Sequence, residues 1–173
     1  SLVNLGRIMP RTLLDDALGL DIPLNSKEGF VRQIIGWREF VHHVHELTDG
    51  FATDSAPIKA RPAAGWDGDW PAAKITPNVL ENSYELPPTF WGEKSGMLCL
   101  DTAVSDVVET GYAHHIPRLM VLANIGNLLG IHPRELTDWF WAMFTDAYDW
   151  VVEPNVLAMG TYAVGEVMTT KPY

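Results

Sequence analysis

The chain has 173 residues, 47% of them apolar, and a formal charge of −10 from 12 basic and 22 acidic side chains. That length and apolar content suffice for one domain with a buried core, while so few cations exclude a generally nucleic-acid-coating surface, because phosphate binding needs clustered Lys and Arg. The single cysteine, Cys99, excludes an internal disulfide, and no run of about 18 apolar residues or signal-peptide start is visible, so the chain reads as soluble and cytoplasmic with no membrane segment.

Pro10 stands at a first helical position, and Leu13, Leu14, Ala17 and Leu18 follow at helical spacing up to Gly19, which predicts a short amphipathic helix. Asn25 with Glu28 three residues later has the form of a capping box. Phe30, Ile34, Trp37, Val41 and Val44 then recur at spacings of four and three, so EGFVRQIIGWREFVHHVHE at 28–46 reads as a helix. Gly36 sits at its centre. A mid-helix glycine costs about 1 kcal/mol against alanine, so it asks for a reason such as close approach of another backbone or of a flat ligand.

Breakers and prolines, including GWDGDWP and ELPPTF, predict a long irregular excursion over about 49–97. Helical signals return in DTAVSDVVETG, HIPRLMVLANIGNLLG and HPRELTDWFWAMFTDAYDW, the first two closed by Gly111 and Gly130 and the third opened by Pro133. The glycine-bearing tail VLAMGTYAVGEVMTTKPY reads as loop. The expectation is an all-α fold of five helices in a single unit spanning 1–173, with no convincing strand and no internal repeat.

Seven Trp are many for this length; most are expected in the core or at contacts, a minority at a stacking site. His42 and Glu46 share a helical face and could pair on a metal, but without a third and fourth ligand a surface pair is the better reading. His114 and His115 precede the Pro117 helix, where an imidazole can cap orphan amides or face a pocket; capping is the preferred reading. Arg118 and Asp146 are charges within apolar helical segments and are expected to pair with each other. Asp149 follows Asp146, and a solvated acidic helix end stands level with a functional pair.

The motifs NLGRIMPR at 4–11, EGFVRQIIGWREF at 28–40, GYAHHIPRLMVLANIGNLLGI at 111–131, DWFWAMFTDAYDWVVEPNVLAMG at 138–160 and MTTKPY at 168–173 together resemble the photolyase/cryptochrome family. The nearest likeness is to its bacterial iron–sulfur branch, the deoxyribodipyrimidine photolyase-related proteins. The resemblance implies the helical FAD-binding catalytic domain, in which a flavin in a bowl passes an electron to a DNA lesion after absorbing light. It further implies that Arg38, Tyr112, His115, Arg118, Asp146, Asp149 and Asn155 lie at or beside the FAD, with Arg38 toward its phosphates. Gly36 would lie where the helix nears the flavin or lesion cavity, and Gln33 and Trp37 would face the lesion.

By the same resemblance His115 is a proton donor at (6-4) lesions, while Trp139, Phe140 and Trp91 form the route that re-reduces the flavin. Relatives often carry Tyr at the Phe140 position, and Phe is harder to oxidise. Cys99 matches the first of four cysteines that ligate a 4Fe–4S cluster, the others falling beyond Tyr173, so no cluster is expected on this chain. The chain begins inside NLGRIMPR and stops at KPY, which implies a domain truncated at both ends whose parent is a blue-light-driven lyase acting on UV-damaged DNA. Such a piece alone is expected to be inactive. Two other readings fit the motifs: a cryptochrome-like photoreceptor, or a helical binding module without the cofactor.

Overall fold

The structure, a computed structural model, describes residues 2–51 and 78–164. GWDGDWP and MTTKPY therefore lie outside the described residues. Helix α1 is Pro10–Gly19. Helix α2, Leu24–Val31, runs through a π-helical turn, Arg32–Gly36, into α3, Trp37–Thr48. A 3-10 turn, Pro88–Trp91, precedes α4, Leu98–Thr110. A π-helical segment, Pro117–Ala123, continues as α5, Asn124–Leu128, and is followed by α6, Pro133–Met143. Helix α7, Asp149–Val152, passes into a last π-helical segment, Glu153–Gly160.

The described residues contain no strand, only an isolated bridge between Tyr84 and Ile131, so the fold is all-α. The main core gathers Phe90, Leu100, Val104, Val107, Leu122, Leu136, Trp139 and Phe140 from three helical elements and one turn. Trp139 is 1% exposed; its ring meets Phe90 edge-on at 5.2 Å and its indole N–H donates to the Phe90 carbonyl at 3.0 Å. That bond satisfies the polar atom of a buried indole, which would otherwise cost free energy.

A second tie is ionic. Glu153 and Asp138 are buried: within α6 Arg134 Nε donates to Asp138 Oδ1 at 2.7 Å, Arg134 Nη1 lies 3.8 Å from Glu153 Oε1, and His45 Nδ1 of α3 lies 2.8 Å from Glu153 Oε2. Burial pushes the Asp138 carboxyl above its ordinary value, against the pull of Arg134. The network fastens α3, α6 and the 153–160 segment together. In HHVHE it is thus His45 that reaches the interior, while His42 and His43 stay exposed beside Glu46 at 3.6 and 3.7 Å.

Several expectations need correction. The fifth helix does not run through to Trp150: it stops at Met143, and Phe144 is extended (φ −105°, ψ 130°). The break is held by Thr145 N–H donating to the Gly111 carbonyl at 2.9 Å. The tail is not loop over 156–160, because residues 153–160 are helical and bury Val156, Leu157 and Ala158; packing overrides the low local signal there, residues 161–164 are non-helical as expected, and 165–173 lie outside the described residues. Asn25 does not cap α2, which starts at Leu24 without a side-chain cap, and Glu28 instead accepts from Arg32 Nη2 at 2.6 Å.

Candidate functional site

A cavity of about 260 Å³ opens between the helix containing Arg32–Thr48, the Pro117 segment, α6 and the α7–Gly160 segment. Its wall brings together Gln33, Trp37, Arg38, His115, Arg118, Asp146 and Asn155 from distant parts of the chain. Phe140, Phe144 and Trp150 add aromatic surface. Helical spacing places Gln33 and Trp37 on one face, since residues four apart are neighbours.

Arg118 is held on every side. Its Nη1 and Nη2 donate to Asp146 Oδ1 and Oδ2 at 2.9 and 3.1 Å, its Nε donates to the Ala113 carbonyl at 2.7 Å, and its Cζ lies 4.2 Å from the Phe144 ring centroid. A two-pronged pair of this kind fixes orientation as well as charge. Asp146 is 4% exposed, so the solvated-acid reading fails for it. It reaches Arg118 because it stands in the break between α6 and α7, not inside a helix as its sequence neighbourhood suggested.

His115 does not act as a cap: the Pro117 segment begins without a side-chain cap bond, and the His115 ring lines the cavity. Burial, and then the Arg118 cation, push its pKa below the ordinary histidine value. Capping by imidazole occurs elsewhere, where His132 Nδ1 accepts from Arg134 N–H at 3.0 Å at the start of α6. Asn155 Nδ2 donates back to the Val151 carbonyl at 2.7 Å, which fixes the amide along the cavity wall.

Five further residues singled out in the sequence do not line this cavity. Asp149 is exposed at the start of α7 and does not line the cavity. Tyr112 is on the far side of Arg118, whose Cζ is 5.3 Å from the tyrosine ring centroid, and it lines a separate apolar groove with Cys99. Trp139 is in the core, one ring back from the cavity: Phe140, edge-on to it at 5.3 Å, is the residue that lines the wall. Trp91 packs half-buried against the same core. Cys99 is an exposed thiol. Gly36 is not the site of a close protein approach, since a Cβ added there would meet no protein atom within 4 Å.

Asn4 and Trp150 on the wall carried no sequence expectation. Asn4 Oδ1 accepts from Arg38 Nη1 at 2.6 Å, and the Trp150 ring centroid lies 5.3 Å from Arg38 Cζ. Asn4 lies 34 residues from its partner, so no local pattern marks it. Trp150 could have been found from the presence of a large aromatic one turn after Asp146. Among the described residues no group of three or more His, Cys, Asp or Glu side chains could hold a metal ion, and no helix is long and apolar enough to cross a membrane.

An aromatic-walled cavity with a cation and a fixed ion pair suits a planar, partly anionic ligand better than a metal. No family model matches the chain. Over 151 residues, 87% of its length, the chain is 37% identical to the (6-4) photolyase of Agrobacterium fabrum, and the match covers 25% of that protein. A 54-residue stretch, 31% of the chain, is 43% identical to an uncharacterized protein of Acanthamoeba polyphaga mimivirus and covers 44% of it. The first likeness supports the photolyase family. The chain spans about a quarter of that relative's length and less than half of the second's.

Proposed function

We propose that this chain is the flavin-binding part of a photolyase-type protein that repairs UV-damaged DNA, of the (6-4) class. The observation that carries the proposal is the cavity itself, in which aromatic walls, the Arg118–Asp146 pair and the Arg38 cation converge. These residues fit an FAD: aromatic and apolar side chains for the ring, amide and imidazole groups at its edge, and a cation for its phosphates. When bound and reduced, a flavin supplies a light-driven one-electron donor.

The chain's own residues would then orient and protonate. Arg118, locked by Asp146, presents a fixed positive charge beside the ring. Gln33 and Trp37 offer an amide and an indole to an extruded lesion base. His115 holds a transferable proton at the cavity wall; its lowered pKa means that the neutral form predominates near pH 7, and that the cationic donor is populated as the pH falls. Tyr112 and Asp149 lie outside the cavity wall. Cys99, exposed on α4, would be one of four ligands to an iron–sulfur cluster in the longer protein.

Titration of the purified chain with FAD, followed by flavin fluorescence, tests the reading. Saturable quenching that is lost in Trp37→Ala supports it; absence of saturable binding removes the flavin function from this chain. In the longer protein, blue-light repair of an oligonucleotide carrying a (6-4) lesion distinguishes repair from photoreception.

A further inference from the structure

Val41 is buried on the cavity wall, and His45 follows it on the same face of α3, since residues four apart are neighbours. Glu153 stands between Val152 and Asn155, two wall residues from the far end of the chain. Neither His45 nor Glu153 lines the cavity itself. Their contact of 2.8 Å, across 108 residues, therefore joins two stretches of wall from just behind it.

The end of α3 is shaped around the Glu153 carboxylate. Asp49, Gly50 and Phe51 all take left-handed backbone, at φ +47°, +64° and +59°. That conformation costs a residue with a side chain roughly 1–2 kcal/mol and persists only where the surroundings over-determine it. Gly50 packs so closely on Glu153 that an added Cβ would collide with the carboxylate. Phe51 is buried with Leu157 and Ala158, which holds the turn against the 153–160 segment.

From α6 the charged groups that face the pair are Arg134, whose Nη1 lies 3.8 Å from Glu153 Oε1, and Asp138, whose Oδ1 is 2.7 Å from both Nε and Nη2 of Arg134. Glu135 of the same helix accepts from the Leu86 N–H. His42, His43, Glu46 and Asp49 on α3 and its cap, and Asp149 on α7, are exposed. Arg134 is thus hydrogen-bonded to Asp138 and only near Glu153, whereas the His45 ring touches Glu153 directly. An imidazole can donate to that carboxylate in either protonation state, but the charge-assisted bond is about twice as strong as the neutral one.

We propose that His45 and Glu153 form a proton-sensitive latch behind the cavity. With the imidazole protonated, α3 is drawn against the 153–160 segment and the wall closes on its ligand; with the imidazole neutral, the wall loosens. Both are positioning residues, acting through Val41 and Trp37 on one side and Val152 and Asn155 on the other. The ligand used in the test, FAD, rests on the flavin reading, but the latch has a readout that needs no ligand.

Hydrogen exchange of the α3 amides measures local opening in the ligand-free chain, with variants compared at one pH at a time. His45→Asn keeps a neutral donor near the Nδ1 position, and His45→Lys stays charged at both pH 6.0 and pH 8.5. At pH 6.0 the amides of residues 41–50 are expected to exchange on the order of fivefold faster in His45→Asn than in the unaltered chain, as loss of charge assistance implies. At pH 8.5 the two should coincide, and His45→Lys should remain protected at both. Glu153→Gln, which removes the charge from the other side, should match His45→Asn at pH 6.0. FAD affinity, titrated in the same variants, should follow the same order.

Equal exchange in His45→Asn and the unaltered chain at pH 6.0 overturns the latch. So does exchange faster by one factor at both pH values, which marks a merely structural contact. The expected exchange pattern without saturable FAD binding supports the latch and removes the flavin reading. Saturable FAD binding without that pattern does the reverse. The pattern together with equal FAD affinity in all variants at pH 6.0 overturns the positioning role.

Discussion

Arg118 and Asp146 meet through two hydrogen bonds of 2.9 and 3.1 Å across a separation of 28 residues, one side chain on a helix and the other in the break between two helices. The arrangement costs desolvation of both charges, and most of its value lies in what happens when one partner is lost. Asp146→Asn keeps the shape but leaves the guanidinium at the cavity wall without its counter-charge. A loss of about 3 kcal/mol is expected, read from urea unfolding midpoints. The double variant Arg118→Met, Asp146→Leu should recover part of that loss. A change below about 0.5 kcal/mol for the single variant would contradict a desolvated pair.

The break that delivers Asp146 depends on Gly111. It ends α4 at φ +64°, and a Cβ there would lie 2.6 Å from Thr145 Cγ2, the residue whose N–H donates to the Gly111 carbonyl. Gly111→Ala is therefore expected to cost about 1–2 kcal/mol from the left-handed backbone alone, with the Thr145 contact adding to it. Gly36→Ala should do the opposite. Gly36 is helical at φ −57° with no protein atom within 4 Å of an added Cβ, so alanine should stabilise the chain by up to about 1 kcal/mol. Paired thermal melts check both. If Gly36→Ala stabilises the protein yet weakens FAD binding, the glycine serves close approach of the ligand.

Acid should destabilise the protein through His115 and His132. Burial, followed by Arg118 in one case and Arg134 in the other, lowers the pKa of His115 and of His132. The unfolded chain then takes up these protons at higher pH than the folded chain does. Their stabilising contribution is complete above the ordinary value of about 6.5 and declines as the pH falls below it, toward the lowered folded values. Urea midpoints at pH 7.5 and 5.5 are expected to differ, and His115→Gln should reduce the difference. Identical pH dependence of His115→Gln and the unaltered chain would show that His115 gains its proton as readily folded as unfolded.

Helix type was legible wherever local spacing and packing agree, as in Pro10–Gly19 and Leu98–Thr110. It failed where a long-range contact decides. Residues 144–148 have the composition of a helix, but the Thr145 bond to Gly111 and the Arg118 pair draw them out of it. Residues 153–160 carry a proline and a glycine, yet burial of Leu157 and the His45–Glu153 contact hold them helical. The Arg118–Asp146 pair was readable because a charge in an apolar segment needs a partner. Asn4 was not, since its one informative contact lies 34 residues away.

Phe140 tests the electron route that the family resemblance implies. Trp139 is buried in the core and does not line the cavity; Phe140 stands between, 5.3 Å from Trp139, stacked on Phe144 at 5.0 Å and itself on the cavity wall. A phenyl ring is the hardest of the aromatic side chains to oxidise, so on that implied route an electron leaving Trp139 would cross it without resting there. Phe140→Tyr places an oxidisable ring at the same point. In the FAD-loaded longer protein, with an external thiol to refill the donor, photoreduction under blue light is expected to be faster than in the unaltered protein. Trp139→Phe should slow it. The new hydroxyl enters a site where Phe140 is 4% exposed, so a stability loss of about 1–3 kcal/mol should accompany the gain. Photoreduction unchanged in Phe140→Tyr and in Trp139→Phe, both folded and flavin-loaded, would remove residues 139 and 140 from the route and leave Trp37 and Trp150, the tryptophans that line the cavity, as the donors to test.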